Sequence, residues 1–451
     1  MSDSQSASVR GGGVSPARAV ALPHIETKAS RFPDLFPNPI DVTGLSPRDA
    51  GLATAIDREV TARWLTLRTI IEPMLSRPWD AQHPAVLASL LSGAAQLLLL
   101  DRIPDHAAVS ESVQWCRSTQ AGRASGVVNA VLRRIARLRL ERIERADPDA
   151  PDHLVRSDGS GWRLNEPVFG TDVPSRRAAQ TGCSPALLAR WRTCYGEAEA
   201  FQIALRTIAQ PPIIVHGAGD HESLIPHDRR GFQIVRPGTS PATIVEAFPE
   251  AIVQDPTAAA SCAATATLAP EVIVDACAGR GTKTRQLAAM HPGARVIASD
   301  TQALRMRDLH ELACQHPSIE AVDARDLGQF AGGVDLLVLD VPCTNSGVLA
   351  RRVEARHRQD GTFRQSLVDT QRQIAADTLA LLRPGGTLLW ATCSVDPDEN
   401  QHQVEWLTRW HALEVAKAHA EAGQGGPWAP PASWCDGGFH ALLRKPRITD
   451  G

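Results

Sequence analysis

Apolar positions recur at helical spacing over residues 47–75, 85–100, 109–119 and 125–145, and no two-residue alternation interrupts them. This pattern predicts an all-helical domain over residues 43–145. Residues 1–42 are rich in Ser, Gly, Pro and Ala and read as a disordered lead, and the Asp-, Pro- and Gly-rich stretch 146–180 reads as a linker. A helix from Pro185 and short apolar runs at 212–216 and 232–236 predict a small α/β segment over residues 181–250. From residue 251 to 451 the pattern becomes a regular alternation. Strand-like runs at 272–275, 296–300, 319–323, 336–340 and 387–392 are separated by helical runs that include 283–290, 301–314 and 365–382. This is the signature of a parallel α/β sheet, with ligands expected at the carboxyl ends of its strands.

The chain has 451 residues, 43% hydrophobic and 22% charged, with a net charge of −3. Its length calls for more than one core. The net charge excludes a uniformly basic coat for nucleic acid and leaves room for a local basic face. The 125–145 stretch offers one candidate, with Arg133, Arg134, Arg137, Arg139, Arg142 and Arg145. Glu141 and Glu144 interleave there at ion-pair spacing, so a solvated face fits equally well. Trp64, Trp115 and Trp191 fall in helical patterns and read as core rather than as base-stacking surfaces. Nine cysteines occur without a C-x-x-C pair or a Cys/His cluster at zinc spacing, so no metal is expected. No segment reads as a signal peptide or a membrane span, and a reducing cytoplasmic setting is expected.

The chemistry-bearing residues gather at the strand ends. Asp275, Asp300, Asp323 and Asp340 each end a predicted strand. One such acid is usually a cap or turn residue; four on one sheet edge suggest a site. Asp275 opens Asp275-Ala276-Cys277-Ala278-Gly279-Arg280-Gly281-Thr282-Lys283-Thr284, a glycine loop running from strand to helix. A phosphate loop needs G-x-x-x-x-G-K-[ST], and Thr282 stands where its second glycine belongs, so that reading fails. A nucleoside cofactor such as S-adenosylmethionine fits, with Asp300 on the ribose hydroxyls and Asp323 facing the adenine; an unrelated Rossmann-like loop fits as well. Two cysteines follow predicted strands, in Asp340-Val341-Pro342-Cys343-Thr344-Asn345-Ser346-Gly347 and in Thr392-Cys393-Ser394. A lone cysteine after a strand is usually buried and inert. Two of them beside a cofactor loop suggest covalent chemistry.

These three segments resemble motifs I, IV and VI of the NOL/NOP/Sun family of RNA 5-methylcytosine methyltransferases. The resemblance extends to Gln254-Asp255, to residues 351–358 and to Asp436-Gly437-Gly438-Phe439. The segments Ile103-Pro104-Asp105-His106-Ala107-Ala108-Val109 and Val128-Asn129-Ala130-Val131-Leu132-Arg133 resemble a NusB-like RNA-binding domain. That pairing is similar to the RsmB-type methyltransferases of 16S ribosomal RNA. The resemblance implies an all-α NusB-like N-terminal domain, a small α/β RNA-binding segment and a Rossmann-like class I methyltransferase domain. It implies S-adenosylmethionine as cofactor, 16S ribosomal RNA as partner and a monomer without metal. It implies Cys393 as nucleophile, Cys343 as the thiol that helps release product, Asp340 on the ring nitrogen and Lys283 as orienting cation. Asp275, Cys277, Ala278, Gly279, Gly281, Lys283, Asp300, Arg305, Asp323 and Asp340 would line the cofactor. The chain departs from the family pattern at Gly279-Arg280-Gly281-Thr282, at His216 and at Gly438. Arg280 and Thr282 leave a second reading, a non-catalytic RNA-binding factor with a degenerate cofactor pocket. Both cysteines, the strand-end acids and Lys283 argue against it.

Overall fold

The computed structural model describes residues 13–447, which form two compact units. The first comprises residues up to Ala209 together with Val353–Arg358. Six of its helices, Pro16–Ala29, Pro47–Ala62, Trp64–Ile71, Pro84–Leu98, Asp105–Ser118 and Ser125–Leu138, enclose a core that includes Leu22, Ile25, Ile56, Trp64, Leu67, Leu90 and Leu132. Proline marks the starts across the chain. Pro47, Pro84, Pro185, Pro241 and Pro256 each open a helix, and Ser46, His83, Ser184, Ser240 and Asp255 accept a backbone N–H from the first turn. Proline loses nothing there, because the first N–H groups have no partner within the helix.

Four expectations change in this unit. The lead expected to be disordered carries the helix Pro16–Ala29, which buries Ala17, Ala21, Leu22 and Ile25; residues 1–12 lie outside the described residues. Its alanines, proline and polar residues dilute the sequence signal, but its apolar residues share one face. The helix expected to reach residue 145 stops at Leu138 and continues as a strand, Arg139–Ile143. That strand pairs with Gly161–Leu164, which pairs in turn with His153–Val155, so the expected linker is a small antiparallel sheet followed by the helix Val173–Thr181. The guanidinium groups of Arg139 and Arg142 lie 5.0 and 5.5 Å from the Trp162 ring centre, which favours the strand over another helical turn. Arg139 also pairs with Asp105, Arg142 with Asp101 at 2.9 Å and Arg134 with Glu166 at 3.6 Å. At least three of the six arginines in the basic row are therefore ion-paired. The helix Pro185–Arg206, expected in the small α/β segment, belongs to this first unit and buries Trp191. Arg356 is also buried here, donating to the carbonyls of Ala62, Thr181 and Thr207.

The second unit contains two sheets. A small antiparallel sheet has the order Leu224–Pro226, Phe232–Val235, Ile214–His216, Ile252–Val253. The large sheet has seven strands in the order Ile319–Ala321, Arg295–Ala298, Val272–Asp275, Val334–Asp340, Leu382–Thr392, Gly438–Arg444, Glu414–Glu421. The first five are parallel neighbours, and Gly438–Arg444 runs antiparallel to both of its neighbours. The parallel strands bury near-continuous apolar runs, as two-sided burial requires. Glu414–Glu421 is almost wholly exposed, with charged residues on its free edge, so no apolar period announced it. Among the described residues no helix is long and apolar enough to cross a membrane.

If the Pro16–Ala29 helix is part of the core, Leu22→Ala should cost about 2–5 kcal/mol in urea unfolding, the usual loss for a fully buried leucine. A silent substitution would return this segment to a disordered lead.

Candidate active site

Strand order places the site. The chain leaves the Val272–Asp275 strand toward one side of the sheet, and its other neighbour, Val334–Asp340, begins the opposite half. Ligands bind at such a switch because the loops diverge there. Asp275 is fully buried and accepts from the Thr284 hydroxyl at 2.7 Å, while its other oxygen has no partner among the described residues. Burial pushes this carboxyl up to about 7, with Thr284 opposing. Gly281 starts the next helix at φ +83°, and a Cβ there would lie 2.4 Å from Leu312 Cδ2. Only glycine permits this turn without displacing Leu312. Thr282 is exposed at the first helical turn, and Arg280 is 83% exposed beside Asp308. Neither departure from the family pattern projects into the interior.

Asp300 lies two residues beyond the Arg295–Ala298 strand and is nearly buried. Its carboxylate accepts from Gly279 N at 3.1 Å, Gln302 N at 2.9 Å and Arg305 Nη1 at 3.1 Å. The loop, the acid and Arg305 are thus one assembly. Ala278 is buried beneath it, and Cys277 is half-buried, its thiol pushed well up by burial and then by Asp275, Asp340 and Asp300. Asp323 differs from the expectation of a strand-end acid. Its strand stops at Ala321, and Asp323 is exposed, accepting from Arg325 at 2.9 Å. It lines an open cavity of about 710 Å³ with His310, Val322, Arg325, Asp326 and Gln329.

Lys283 reaches from the glycine-loop helix to the end of the next strand, where its Nζ lies 2.6 Å from Asp340 Oδ2. Burial is the largest single influence and works against its charge, but Asp340 together with Cys262 and Cys393 holds the ammonium above its ordinary value. Beyond Asp340 and Thr392, on adjacent parallel strands, Cys343 and Cys393 bring their sulfurs to 3.2 Å. The Cys343 thiol is pushed well above its ordinary value, first by its hydrogen bond to Cys393 and then by burial.

Several residues with no role assigned from sequence hold this geometry. Gly347 N donates to Cys393 O at 3.0 Å, and Gly437 N donates to Gly347 O at 2.9 Å. A Cβ on Gly347 would lie 2.4 Å from Gly437 O, so the approach needs glycine. Gly438 stands with Thr392 O 3.0 Å and Thr257 Cγ2 3.2 Å from where a Cβ would be, leaving little space for a larger side chain. Under the thiols, Glu399 accepts from Thr344 N at 2.9 Å and Thr344 Oγ1 at 2.6 Å, and Ser346 and Ser394 hydroxyls meet at 2.9 Å. Arg351 bridges Asp436 at 2.6 Å and Asp255 at 3.3 Å. Burial, reinforced by Asp436, pushes Asp255 up to about 7 despite Arg351. The sequence signal for these residues was their place in the quoted family segments, which carried no geometry. Among the described residues no group of His, Cys, Asp and Glu is placed to hold a metal ion.

The raised carboxyl of Asp275 has a defined pH consequence. Its ordinary value is about 3.9, so the folded state retains a proton that the unfolded chain has lost. The stability from this proton is complete below the unfolded value and is lost as pH rises through about 7. Asp275→Asn stays neutral throughout. Thermal unfolding at pH 5, 6, 7 and 8 should show the parent losing stability relative to this variant as pH rises. Parallel profiles would mean that Asp275 is charged in the fold.

Comparison with known proteins gives the family. Residues 265–444 match the family model for the 16S rRNA methyltransferase RsmB/F, and residues 35–137 match that for the NusB family. The chain is 30% identical over 397 residues to the ribosomal RNA small subunit methyltransferase B of Pasteurella multocida, covering 84% of each chain. It is 30% identical over 416 residues to that of Xanthomonas campestris, covering 88% of this chain and 90% of the relative. The fold is similar to the crystal structure of PH0851, with a TM-score of 0.66 at 18% identity over 89% of this chain and 92% of that one. A helical NusB-type domain, a class I methyltransferase sheet and full-length relatives at this identity place the chain in the ribosomal RNA small subunit methyltransferase B family.

Proposed function

We propose that this protein methylates carbon-5 of a cytosine in 16S ribosomal RNA, using S-adenosylmethionine and a covalent cysteine adduct. One observation carries the reading: two thiols 3.2 Å apart at the ends of adjacent parallel strands, next to the Lys283–Asp340 pair. The cofactor fits the donor set. Asp300 and Asp323 are acceptors for hydroxyl and amino groups, Asp275 keeps a buried oxygen without a partner among the described residues, and Gly279, with open space where a Cβ would stand, leaves room for close approach. The loop's lysine is engaged by Asp340 rather than free for a phosphate. When bound, S-adenosylmethionine supplies an electrophilic methyl group.

The residues divide the remaining work. Carbon-5 of cytosine is a weak nucleophile until a thiolate adds to carbon-6 and makes the ring an enamine. Cys393, the more exposed of the pair, is the attacking sulfur, and its thiol proton passes by way of Asp340 to the ring nitrogen as electrons arrive there. Lys283 orients Asp340 and the reacting base. Cys343 is held protonated chiefly by its contact with Cys393. Once the Cys393 sulfur is bonded to carbon, that contact weakens; Cys343 then releases its proton to water, and the thiolate left behind takes the carbon-5 proton. The carbon–sulfur bond then breaks and returns its electrons to Cys393. The target base must be unpaired or turned out of its helix to reach these groups. The first unit contributes RNA contact through shape and backbone rather than through a wholly basic surface.

The rival reading, a non-catalytic RNA-binding factor, rests on Arg280 and Thr282, and both point away from the interior of the loop. Bisulfite sequencing of 16S ribosomal RNA from a deletion strain should reveal one cytosine that loses methylation; an unchanged pattern would overturn the substrate assignment. The roles of the two thiols separate on a denaturing gel. Cys343→Ala should transfer methyl once and stay covalently joined to RNA, giving a slow, protease-sensitive band. Cys393→Ala should give neither band nor turnover, while binding S-adenosylmethionine within severalfold of the parent. The band in Cys393→Ala alone would exchange the roles.

A further inference from the structure

The Cys343 loop contains a residue in an uncommon conformation. Asn345 has φ +59°, one of three non-glycine residues in the left-handed region among those described. Asparagine tolerates this region better than most side chains. Here the conformation turns its amide back across the site. Nδ2 donates to the Cys343 carbonyl at 3.0 Å, and Oδ1 accepts from Cys393 Sγ at 3.3 Å. With the 3.2 Å contact between the sulfurs, the Asn345 and Cys393 side chains close a ring with the side chain and backbone carbonyl of Cys343. The ring has a direction. A thiol has one proton, and that of Cys393 is used on Asn345, so Cys343 supplies the proton between the sulfurs.

Building on the assignment of Cys393 as nucleophile, we propose that Asn345 is a positioning residue that holds the Cys393 thiol in its attacking rotamer through the amide carbonyl. A cysteine side chain has three staggered positions, and only one can face a base docked at the strand ends. Asn345 fixes that choice, and it retains the proton until a base is present. Its own amide is fixed in turn by the Cys343 carbonyl. The same short loop therefore carries the assisting thiol and the group that aims the attacking one.

The experiment uses the full chain with substrate RNA. N345G keeps the left-handed backbone and removes the amide, and N345D keeps an oxygen acceptor at the same reach. N345G should lower kcat by about 10–100-fold, the scale on which lost orientation acts, while KM for S-adenosylmethionine and RNA stays within about twofold, as expected for a contact that acts on the chemical step. Its Cys393, read by peptide mass after iodoacetamide treatment without substrate, should be alkylated severalfold faster than the parent's. A freed thiol meets a small reagent more readily and a docked base less often. N345D should bring alkylation back to the parental rate or below. Melting temperature and S-adenosylmethionine affinity establish that each variant is folded, and N345D carries the comparison should N345G fail to fold. Parental kcat in N345G, or equally fast alkylation of N345G and N345D, overturns the inference. Turnover by C393A would instead remove the nucleophile assignment on which it rests, so the two failures are distinguishable.

Discussion

The Cys343 loop passes Cys393 and Gly437 so closely that a Cβ at Gly347 would lie 2.4 Å from the Gly437 carbonyl oxygen. Gly347 lies between them, bonded through its N–H to Cys393 and through its carbonyl to Gly437. These two bonds tie three chain segments more than 40 residues apart, and the separation of the two sulfurs follows from them. Parallel pairing of Val334–Asp340 with Leu382–Thr392 brings the strand ends side by side. Without the glycine contact the loops beyond those ends would be free to diverge. Strand pairing sets the neighbourhood, and the absence of a Cβ at Gly347 sets the distance.

Holding two thiols this close requires a floor that is stiff without being apolar. Thr344, Ser346, Ser394, Asp396 and Glu399 are all nearly or fully buried, and they are joined by short hydrogen bonds. Burial and, secondarily, Asp396 push the Glu399 carboxyl up, while Ser394 and Thr344 oppose the shift by donating to it. Such a network is costly if incomplete and rigid when complete. Asn400 extends it by accepting from Thr392 at 2.5 Å and donating to Ser394 O at 2.9 Å. Removing one member leaves a buried polar group unpaired, so this network is better suited to fixing geometry than to adding stability.

The sequence made the fold legible wherever apolar spacing was strong. The five parallel strands and the helices opened by Ser-Pro, His-Pro or Asp-Pro steps follow from local chemistry. It was less informative where tertiary contacts decide. The strand Arg139–Ile143 carries a helical-looking arginine row because Trp162 and two aspartates, distant in sequence, draw its side chains into an extended segment. Glu414–Glu421 has no apolar face to detect. In the site, strand-end residues were visible because a parallel sheet directs them to one edge, whereas Asn345 was not. Its role depends on a backbone angle and on a partner 48 residues away. Asp323 was placed too regularly: its strand ends early, and an exposed loop takes over.

The remaining constraint is electrostatic. In the proposed reaction the site admits a cationic sulfonium and a polyanionic RNA at the same sheet edge, and a bowl of four carboxylates would repel the second. Each acid is compensated in a different way. Asp340 has Lys283, Asp300 has Arg305, Asp323 has Arg325, and Asp275, without a cation in contact, is driven toward its neutral form by full burial. The Thr282–Met290 helix adds its positive end at the glycine loop. The edge therefore presents local dipoles with little uncompensated charge. Acceptor oxygens stay available to a nucleoside, while an approaching phosphate meets no strong opposing field. On the proposed function, a chain with a net charge of −3 and an arginine row with at least three of its six members ion-paired can bring RNA to this edge without a basic coat, provided that shape and base docking supply the affinity that long-range attraction does not.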